Sequence, residues 1–266
     1  MNKLGMFLHT RYIDIIEGIK LANKLKVDGI QIYALNDNFS LINFSTKEVS
    51  NLFQYISSQG LEVSALAINF GINGLLTENP EKLVEQYKRI VDIGKMLNSN
   101  IITAHIGEIP RDSNQKEYEQ MFEMCNTLGI ISAQMESRFA IETGSEEVEV
   151  LINFLDSVKS SGLAVNYDPA NIIMSQKGDP IESIKVLRRY LVHTHMKDCK
   201  KGDKRNPTGF TETLLGDGDI NFPSILESLK EIDYSGYLTI ERNEYINMDT
   251  GMEQSMKNFR KYKQAE

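Results

Sequence analysis

The sequence predicts a (β/α)8 barrel, the TIM-barrel fold, formed by residues 1–266 as a single domain. Eight short apolar runs alternate with longer segments of helical periodicity up to the C-terminus, and no Gly-, Ser- or Pro-rich linker interrupts them. The length of 266 residues is close to the ~250 that is typical of this fold. Acidic and imidazole side chains also stand at the ends of the last four apolar runs, where the mouth of such a barrel lies.

The eight apolar runs are the predicted strands. Gly29, Gly60, Gly162 and Gly236 fall at or just before the start of a run, where the preceding helix is expected to stop. Each run is short enough for a barrel strand and is followed by polar residues. The predicted strands are 4–9, 29–34, 62–68, 100–106, 139–144, 163–168, 191–196 and 237–242.

The segments between and after the runs are the predicted helices. Their apolar residues recur every three to four positions, which is the spacing of a helix with one buried face. The predicted helices are 12–25, 46–59, 80–97, 118–135, 146–161, 180–190, 222–232 and 252–264.

Composition and charge exclude several classes of protein. Apolar residues make up 41% and charged residues 25% of the chain, as in an ordinary globular domain. The net charge of −8 argues against partners such as nucleic acid or anionic lipid. No run approaches the ~18 apolar residues of a membrane span, and His9 and Arg11 interrupt the apolar start of the chain, so the expected location is the cytoplasm. Two cysteines cannot form a disulfide framework, and each is expected to be a free thiol.

Four side chains at the ends of the last four predicted strands indicate a metal site. They are Glu142 in FAIETG, Asp168 in AVNYDPAN, His195 in LVHTHMKD and Glu241 in YLTIERN. Strand ends of a closed parallel barrel point into one mouth, so these side chains should meet there. Two Glu, one Asp and one His suit a divalent cation. We therefore expect one divalent metal ion per chain, with Mn, Mg, Co, Zn or Fe as candidates and Mn favoured by the oxygen-rich set.

Such a site predicts chemistry at a carbon next to a carbonyl group. A divalent ion that bridges a carbonyl and a neighbouring hydroxyl oxygen stabilises the enediolate formed when the adjacent C–H proton is removed. Glu142 and Glu241 are the expected acid and base, and proton removal on one face with return on the other gives epimerisation. Shuttling between carbons gives aldose–ketose isomerisation, and loss of a β-hydroxyl group gives dehydration. These residues leave the three outcomes open.

Further residues near the strand ends are candidates for substrate contact. His105 ends the fourth predicted strand and is expected to project into the mouth. His9 ends the first strand, and Tyr33, together with Gln31, lies at the tip of the second. We expect these side chains to form the wall of the pocket.

The HTHMKD segment places alternate residues on opposite faces of the seventh strand. His193 shares the inward face of His195 one layer deeper, so it is expected to be a satisfied core or supporting residue. Lys197 continues that inward face and is a candidate contact for a substrate oxygen or phosphate. Asp198, of opposite parity, is expected to be structural.

The longest connection, 197–221, leaves the predicted mouth directly after His195 and shows little periodicity. Lys197, Lys201, Lys204 and Arg205 concentrate positive charge there in an acidic chain. The segment is therefore predicted to be a lid or a substrate-binding loop, with Arg205 among its contacts. Its Gly-Asp-Gly at 216–218 fits either a tight turn or, on weaker grounds, a phosphate cradle.

Over its whole length the chain resembles the sugar phosphate isomerase/epimerase family of xylose isomerase-like TIM barrels. This family is related to inosose isomerases and dehydratases, ketose 3-epimerases and the endonuclease IV type of nuclease. The resemblance rests on HTHMKD at 193–198, on LLGDGDINFPSILESLKEIDYSGYLTIE at 214–241, and on AIETG and NYDPAN. It implies the same metal ligands as the strand-end argument, an isomerase or epimerase activity, and a small sugar or sugar phosphate as substrate.

The chain departs from two of these relatives at specific positions. Ketose 3-epimerases carry a histidine three residues after the strand-six aspartate and an arginine six residues after the metal histidine, where this chain has Asn171 and Lys201. Asn171 is accordingly expected to face the substrate. Endonuclease IV relatives need further His and Asp ligands for three zinc ions, and this chain has four histidines in total, which favours a mononuclear site.

Alternatives to a sugar isomerase or epimerase remain at this stage. An inosose-type dehydratase is the leading one, followed by an AP endonuclease-like hydrolase and a non-catalytic sugar-binding barrel. No nucleic acid or membrane partner is expected, and association into a homo-oligomer stays open.

Overall fold

The computed structural model describes residues 2–36, 38–71, 74–76, 79–144, 146–202, 209–243 and 248–264. The strands are Lys3–Leu8 (β1), Gly29–Leu35 (β2), Glu62–Ile68 (β3), Ile101–Ala104 (β4), Arg138–Glu142 (β5), Leu163–Tyr167 (β6), Leu191–Met196 (β7), Asp198–Lys201 (β8), Phe210–Thr213 (β9) and Tyr237–Ile240 (β10). Eight of them form a closed, all-parallel barrel in the order β1-β10-β7-β6-β5-β4-β3-β2, and β8 and β9 form a separate antiparallel hairpin. The predicted fold class is therefore confirmed.

Helices follow the strands and form the outer layer of the barrel. They are Ile15–Lys24 (α1), Thr46–Ser58 (α2), Pro80–Met96 (α3), Lys116–Gln134 (α4), Val148–Val158 (α5), Pro169–Ser175 (α6), Pro180–Leu187 (α7), Phe222–Glu231 (α8) and Met248–Gln264 (α9). All eight predicted helices are present, with ends that differ from the prediction by a few residues. Among the described helices, none combines the length and the apolarity that crossing a bilayer would require.

The helix starts follow from local sequence. Helix α2 begins with a capping box in which Ser45 accepts from the Glu48 amide and the Glu48 side chain accepts from the Ser45 amide. Helix α3 begins with Asn79 as its N-cap and Pro80 at its first position, where proline needs no hydrogen-bond donor. Such capping side chains accept hydrogen bonds from the first amides of a helix. The positions of Ser45 and Asn79 therefore set where α2 and α3 begin.

The barrel closes where β1 pairs with β10. Gly5 lies opposite Thr239 in this pair. A Cβ atom on Gly5 would lie 2.5 Å from the Thr239 Oγ1 atom, so the two strands can approach only because the residue is glycine. This closure matters for the site because β10 leads directly to Glu241.

The long connection at 197–221 contains regular structure. The hairpin of β8 and β9 occupies part of 197–221, and Asp198, the first residue of β8, is buried. The Asp198 carboxylate accepts hydrogen bonds from the backbone amides of Cys199, Gly216, Gly218 and Ile220. Its predicted structural role is confirmed.

The same contacts decide how the Gly-Asp-Gly segment is used. The amides of Gly216 and Gly218 donate to Asp198 Oδ2 at 2.9 and 3.0 Å. Amides that already serve an internal carboxylate are not free to hold a phosphate, so the tight-turn interpretation is the correct one. Lys204 and Arg205 lie outside the described residues.

Candidate metal centre

The four predicted ligands lie at the carboxyl ends of consecutive barrel strands. Glu142 is the last residue of β5, and Asp168 directly follows β6. His195 lies near the end of β7, and Glu241 directly follows β10. Because β5, β6, β7 and β10 are neighbours in that order, the side chains converge on one side of the mouth. All four are buried.

The geometry and chemistry of this cluster fit a divalent ion. One ligand atom from each residue lies within 4.8 Å of all the others. An ion whose ligands lie about 2.0–2.4 Å away keeps any two of them within about 4–4.8 Å, so the spacing matches a common centre. Three carboxylates and one imidazole form the donor set that suits Mn²⁺, Mg²⁺ and related ions. Within the described ranges, this is the group of metal-ligating side chains that comes together.

The Glu142 carboxylate is surrounded by donors. Its Oε1 atom lies 3.1 Å from His105 Nε2 and 3.2 Å from His195 Nδ1, and it accepts from Asn171 Nδ2 at 2.9 Å. Its Oε2 atom accepts from Asn166 Nδ2 at 3.3 Å. The carboxylate is thereby oriented before any ligand arrives.

Lys197 bridges the other two carboxylates. Its Nζ atom lies 2.7 Å from Asp168 Oδ2 and 3.1 Å from Glu241 Oε2. Glu241 Oε2 also lies 2.9 Å from His195 Nδ1, and Glu241 Oε1 lies 3.5 Å from His9 Nε2. A buried ammonium group therefore neutralises part of the negative charge that an ion would otherwise compensate.

The electrostatics of the cluster favour bound positive charge. Burial alone would raise the pKa values of Glu142 and Glu241, but neighbouring cationic side chains outweigh it and hold both pKa values well below the ordinary range. Burial lowers the pKa of His195, yet Glu142 and Glu241 raise it to about 10. Burial raises the pKa of Asp168 to about 6, against the opposing charge of Lys197. A metal ion would take the place of the proton on the His195 nitrogen that faces the carboxylates.

His193 lies one layer below His195, as predicted. It is fully buried, with Nδ1 2.9 Å from Asn166 Oδ1 and Nε2 3.0 Å from Thr239 Oγ1. Burial is the main cause that holds its pKa well below the ordinary range, so His193 is neutral. Both ring nitrogens have partners, which confirms the prediction of a satisfied supporting residue.

A cavity of about 190 Å³ opens above the cluster. Its wall includes His9, Tyr33, His105 and Lys197, so four of the predicted substrate contacts come together there. The cavity is lined by Phe7, His9, Arg11, Tyr12, Tyr33, Ala67, Ile68, Asn69, Thr103, Ala104, His105, Glu142, Lys197, Glu241 and Asn243.

The predictions for Gln31, Asn171 and Arg205 have different outcomes. Gln31, expected in the wall, instead lies fully buried beneath it and contacts His195. Asn171 holds Glu142 and is not among the lining residues, so its contact with a substrate stays a prediction. The same holds for Arg205, which lies outside the described residues.

Sequence reasoning missed several lining residues. Arg11, Tyr12, Asn69 and Asn243 all contribute to the cavity. Each follows a barrel strand by a few residues, so the same strand-end argument could have selected them.

A larger groove of about 500 Å³ lies elsewhere, between helices α3 and α4. Leu75, Leu76, Val84 and Met124 supply its apolar floor, and none of its lining residues belongs to the metal cluster. The strand-end cavity lies over the buried cluster of ligand-type side chains, so it is the candidate functional site.

Comparison with known proteins agrees with the barrel fold. The family model of the xylose isomerase-like TIM barrels matches residues 19–262. The inosose dehydratase of Clostridium perfringens is 25% identical over 164 residues, 56% of this chain and 54% of that protein. The chain thus spans about half the length of the curated relatives it matches.

Solved structures show the same fold over nearly the whole chain. A xylose isomerase domain protein from Planctomyces limnophilus superimposes with a TM-score of 0.86 at 24% identity, covering 99% of this chain and 98% of that one. The 3-keto-D-glucoside 4-epimerase from E. coli superimposes with a TM-score of 0.75 at 15% identity, covering 98% of this chain and 100% of that one.

Proposed function

The chain belongs to the xylose isomerase-like TIM-barrel family, and we propose that it is a divalent-metal-dependent isomerase or epimerase. Its substrate is a sugar, a sugar phosphate or a related polyol ketone, and the reaction proceeds through an enediolate. The observation that carries the proposal is the buried group of Glu142, Asp168, His195 and Glu241, whose ligand atoms lie within 4.8 Å of one another beneath a cavity.

The four residues would hold one divalent ion, and Mn²⁺ is the ion that we propose. When bound, the ion supplies a Lewis acid for a carbonyl oxygen and a neighbouring hydroxyl oxygen, worth several kcal/mol of enediolate stabilisation. The cavity of about 190 Å³ suits a small substrate. The protein's contribution is then to orient this substrate and to move protons.

Glu142 and Glu241 are the proposed proton-transfer groups. Both line the cavity, and they come from strands three steps apart around the barrel. Such an arrangement allows removal of a proton from one face of a substrate carbon and delivery to the other. His105, with 56% of its side chain exposed, lies 3.1 Å from Glu142 at the mouth and offers a contact for a substrate hydroxyl group. Lys197 is the proposed contact for a substrate oxygen or phosphate.

A second candidate is an inosose-type dehydratase, which the matches to inosose dehydratases favour. The first step is the same removal of a proton next to a carbonyl group. Loss of the β-hydroxyl group, with a proton delivered to it as it leaves as water, then replaces reprotonation at carbon. The same carboxylates can serve both reactions, so the product decides between them.

The test is solvent deuterium incorporation, followed by NMR in D₂O with Mn²⁺-loaded protein. The panel contains ketoses, their phosphates and inososes. An isomerase or epimerase incorporates deuterium next to the carbonyl and interconverts two isomers without loss of water. A dehydratase gives a product lighter by one water. A protein that neither exchanges nor converts any member of the panel would contradict both proposals.

A further inference from the structure

Gln31 lies below the cavity on β2 and is fully buried. Its Oε1 atom lies 2.8 Å from His195 Nε2, and its Nε2 atom donates to Thr103 Oγ1 at 2.7 Å. The side chain therefore joins the metal-ligand histidine of β7 to a hydroxyl group on β4, across the inside of the barrel.

The hydrogen bonds of Thr103 fix the orientation of the Gln31 side-chain amide. The Thr103 hydroxyl donates to the backbone carbonyl of Leu66 at 3.5 Å, which leaves a lone pair to accept from Gln31. With its NH₂ group bound to Thr103, Gln31 presents its carbonyl oxygen to His195. A carbonyl oxygen only accepts, so the His195 Nε2 atom must carry a proton to make this bond.

The other ring nitrogen of His195 faces the carboxylates. Its Nδ1 atom lies 2.9 Å from Glu241 Oε2 and 3.2 Å from Glu142 Oε1. The Asn166 Nδ2 atom lies 3.3 and 3.2 Å from Nδ1 and Nε2, so it packs against the ring without selecting either nitrogen. Among the described contacts of the ring, Gln31 therefore meets Nε2, and the two carboxylates meet Nδ1.

We propose that Gln31 is a positioning residue that keeps the His195 proton on Nε2 and thereby offers Nδ1 to the metal ion, with Thr103 fixing the orientation of the Gln31 amide. The inference rests on the proposed function insofar as an ion binds at this site. Partners of this kind fix the tautomer and the ring orientation of a ligating histidine, and their loss typically costs ~10–100-fold in metal affinity.

Two substitutions test the two hydrogen bonds, the one between Gln31 and His195 and the one between Thr103 and Gln31. Gln31→Met removes the acceptor while keeping an unbranched side chain of similar length. Thr103→Val keeps the shape of the side chain but removes the hydroxyl group that orients Gln31, and Thr103→Ser restores that group. Ser132→Ala is the matched control, because it removes a buried hydroxyl group that contacts Tyr87 and not the site.

The measurements use Zn²⁺ alone as the probe. Calorimetric titration gives its affinity, and ¹⁵N NMR of the imidazole rings identifies the protonated and the metal-bound nitrogen of His195. In the wild-type protein we expect Nε2 to be protonated and Nδ1 to be bound to zinc. Gln31→Met and Thr103→Val should weaken zinc binding by ~10–100-fold and change the ¹⁵N shift of His195 Nε2 in the zinc-bound protein, where its proton loses the Gln31 acceptor. Thr103→Ser and Ser132→Ala should bind zinc as the wild type does.

Zinc bound through Nε2 in the wild-type protein would overturn the inference. So would zinc affinities within twofold of wild type for both Gln31→Met and Thr103→Val. These outcomes leave the proposed function intact, because the ion would still be bound. A wild-type protein that binds no zinc, manganese or cobalt would instead contradict the proposed metal function, and the inference with it.

Discussion

The Lys197 ammonium group lies 2.7 Å from Asp168 Oδ2 inside the ligand cluster, and both side chains are buried. Lys197 also contacts Glu241 at 3.1 Å, so one cation spans two of the three carboxylates. The cluster thus carries part of its own compensating charge in the metal-free state. This relationship makes the stability of the protein depend on Lys197 and on the metal together.

Lys197→Met should therefore strongly destabilise the metal-free protein. Removing one partner of a buried ion pair leaves an uncompensated buried charge, at a cost of about 3–5 kcal/mol in the free energy of unfolding. Saturating Mn²⁺ should recover much of this loss, because the ion supplies the missing positive charge. Urea unfolding with and without Mn²⁺ measures both effects. Lys185→Met, which breaks an exposed pair with Glu182, is the control and should cost no more than about 1 kcal/mol. Equal losses in the two variants would contradict the role of Lys197.

Metal binding itself should stabilise the wild-type protein and fail in ligand variants. At a Mn²⁺ concentration 100 times the Kd, binding adds about 2.7 kcal/mol to the free energy of unfolding. Asp168→Ala and His195→Ala should each abolish this gain, as followed by thermal unfolding with and without Mn²⁺. Asp217→Ala, at an exposed position of the turn after β9, should keep it. If Asp168→Ala retained the full gain, the ion would be bound elsewhere.

Asp198→Ala should unfold the turn that follows β9. The four amides that donate to this buried carboxylate would lose their acceptor at once. Unsatisfied buried donors cost about 1–3 kcal/mol each, and relaxation toward water will recover part of that sum, so we expect a total loss of about 2–4 kcal/mol. Urea unfolding gives this value, and hydrogen exchange should show loss of protection at 216–220. Unchanged protection there would be inconsistent with Asp198 as the anchor.

Sequence reasoning predicted the barrel and the meeting of the four candidate ligands because both depend on regular features. Strand ends in a closed parallel barrel face one mouth, so Glu142 and Glu241 could be brought together without knowledge of any contact. Short helix α6 was not predicted, although Asp168 caps it and Pro169 opens it, because seven residues are too few to show helical periodicity.

The role of Gln31 could not be read from sequence for a different reason. Its position on β2 fixed only the face on which its side chain lies, which suggested the cavity wall. Whether the side chain reaches the cavity or a neighbour beneath it depends on how β2, β4 and β7 are arranged across the barrel. A polar residue inside an otherwise apolar strand was the available signal, and Thr103 and Asn166 carry the same signal.

Glu146 should make stability depend on pH. Burial raises the pKa of this carboxyl group to about 7, against an ordinary value of 4.5. The folded state therefore disfavours the ionised form. The resulting loss in the free energy of unfolding is absent below about pH 4.5, grows as the pH rises, and is complete above about pH 7. Glu146→Gln should consequently stabilise the protein at pH 8, by an amount on the order of 2 kcal/mol, and change little at pH 4.5. Urea unfolding at both pH values tests this, with the exposed Glu149→Gln as control. A variant effect of equal size at both pH values would rule the explanation out.

Glutamine at Glu142 or at Glu241 should separate metal binding from turnover. Glutamine keeps an oxygen atom for the metal but cannot accept a proton, so each variant should bind Mn²⁺ at least weakly while turnover falls by ~10²-fold or more. Turnover is measured on the substrate identified by deuterium exchange, Mn²⁺ binding is measured by calorimetry, and Glu149→Gln serves as the control.

In an epimerisation the two variants should differ in which epimer exchanges its proton, because each variant lacks the base on one face of the substrate. One epimer should then still exchange its proton with solvent without conversion to the other. Near-normal turnover in both metal-loaded variants would show that the two-carboxylate mechanism is wrong, and Lys197 and His105 would be the next groups to test.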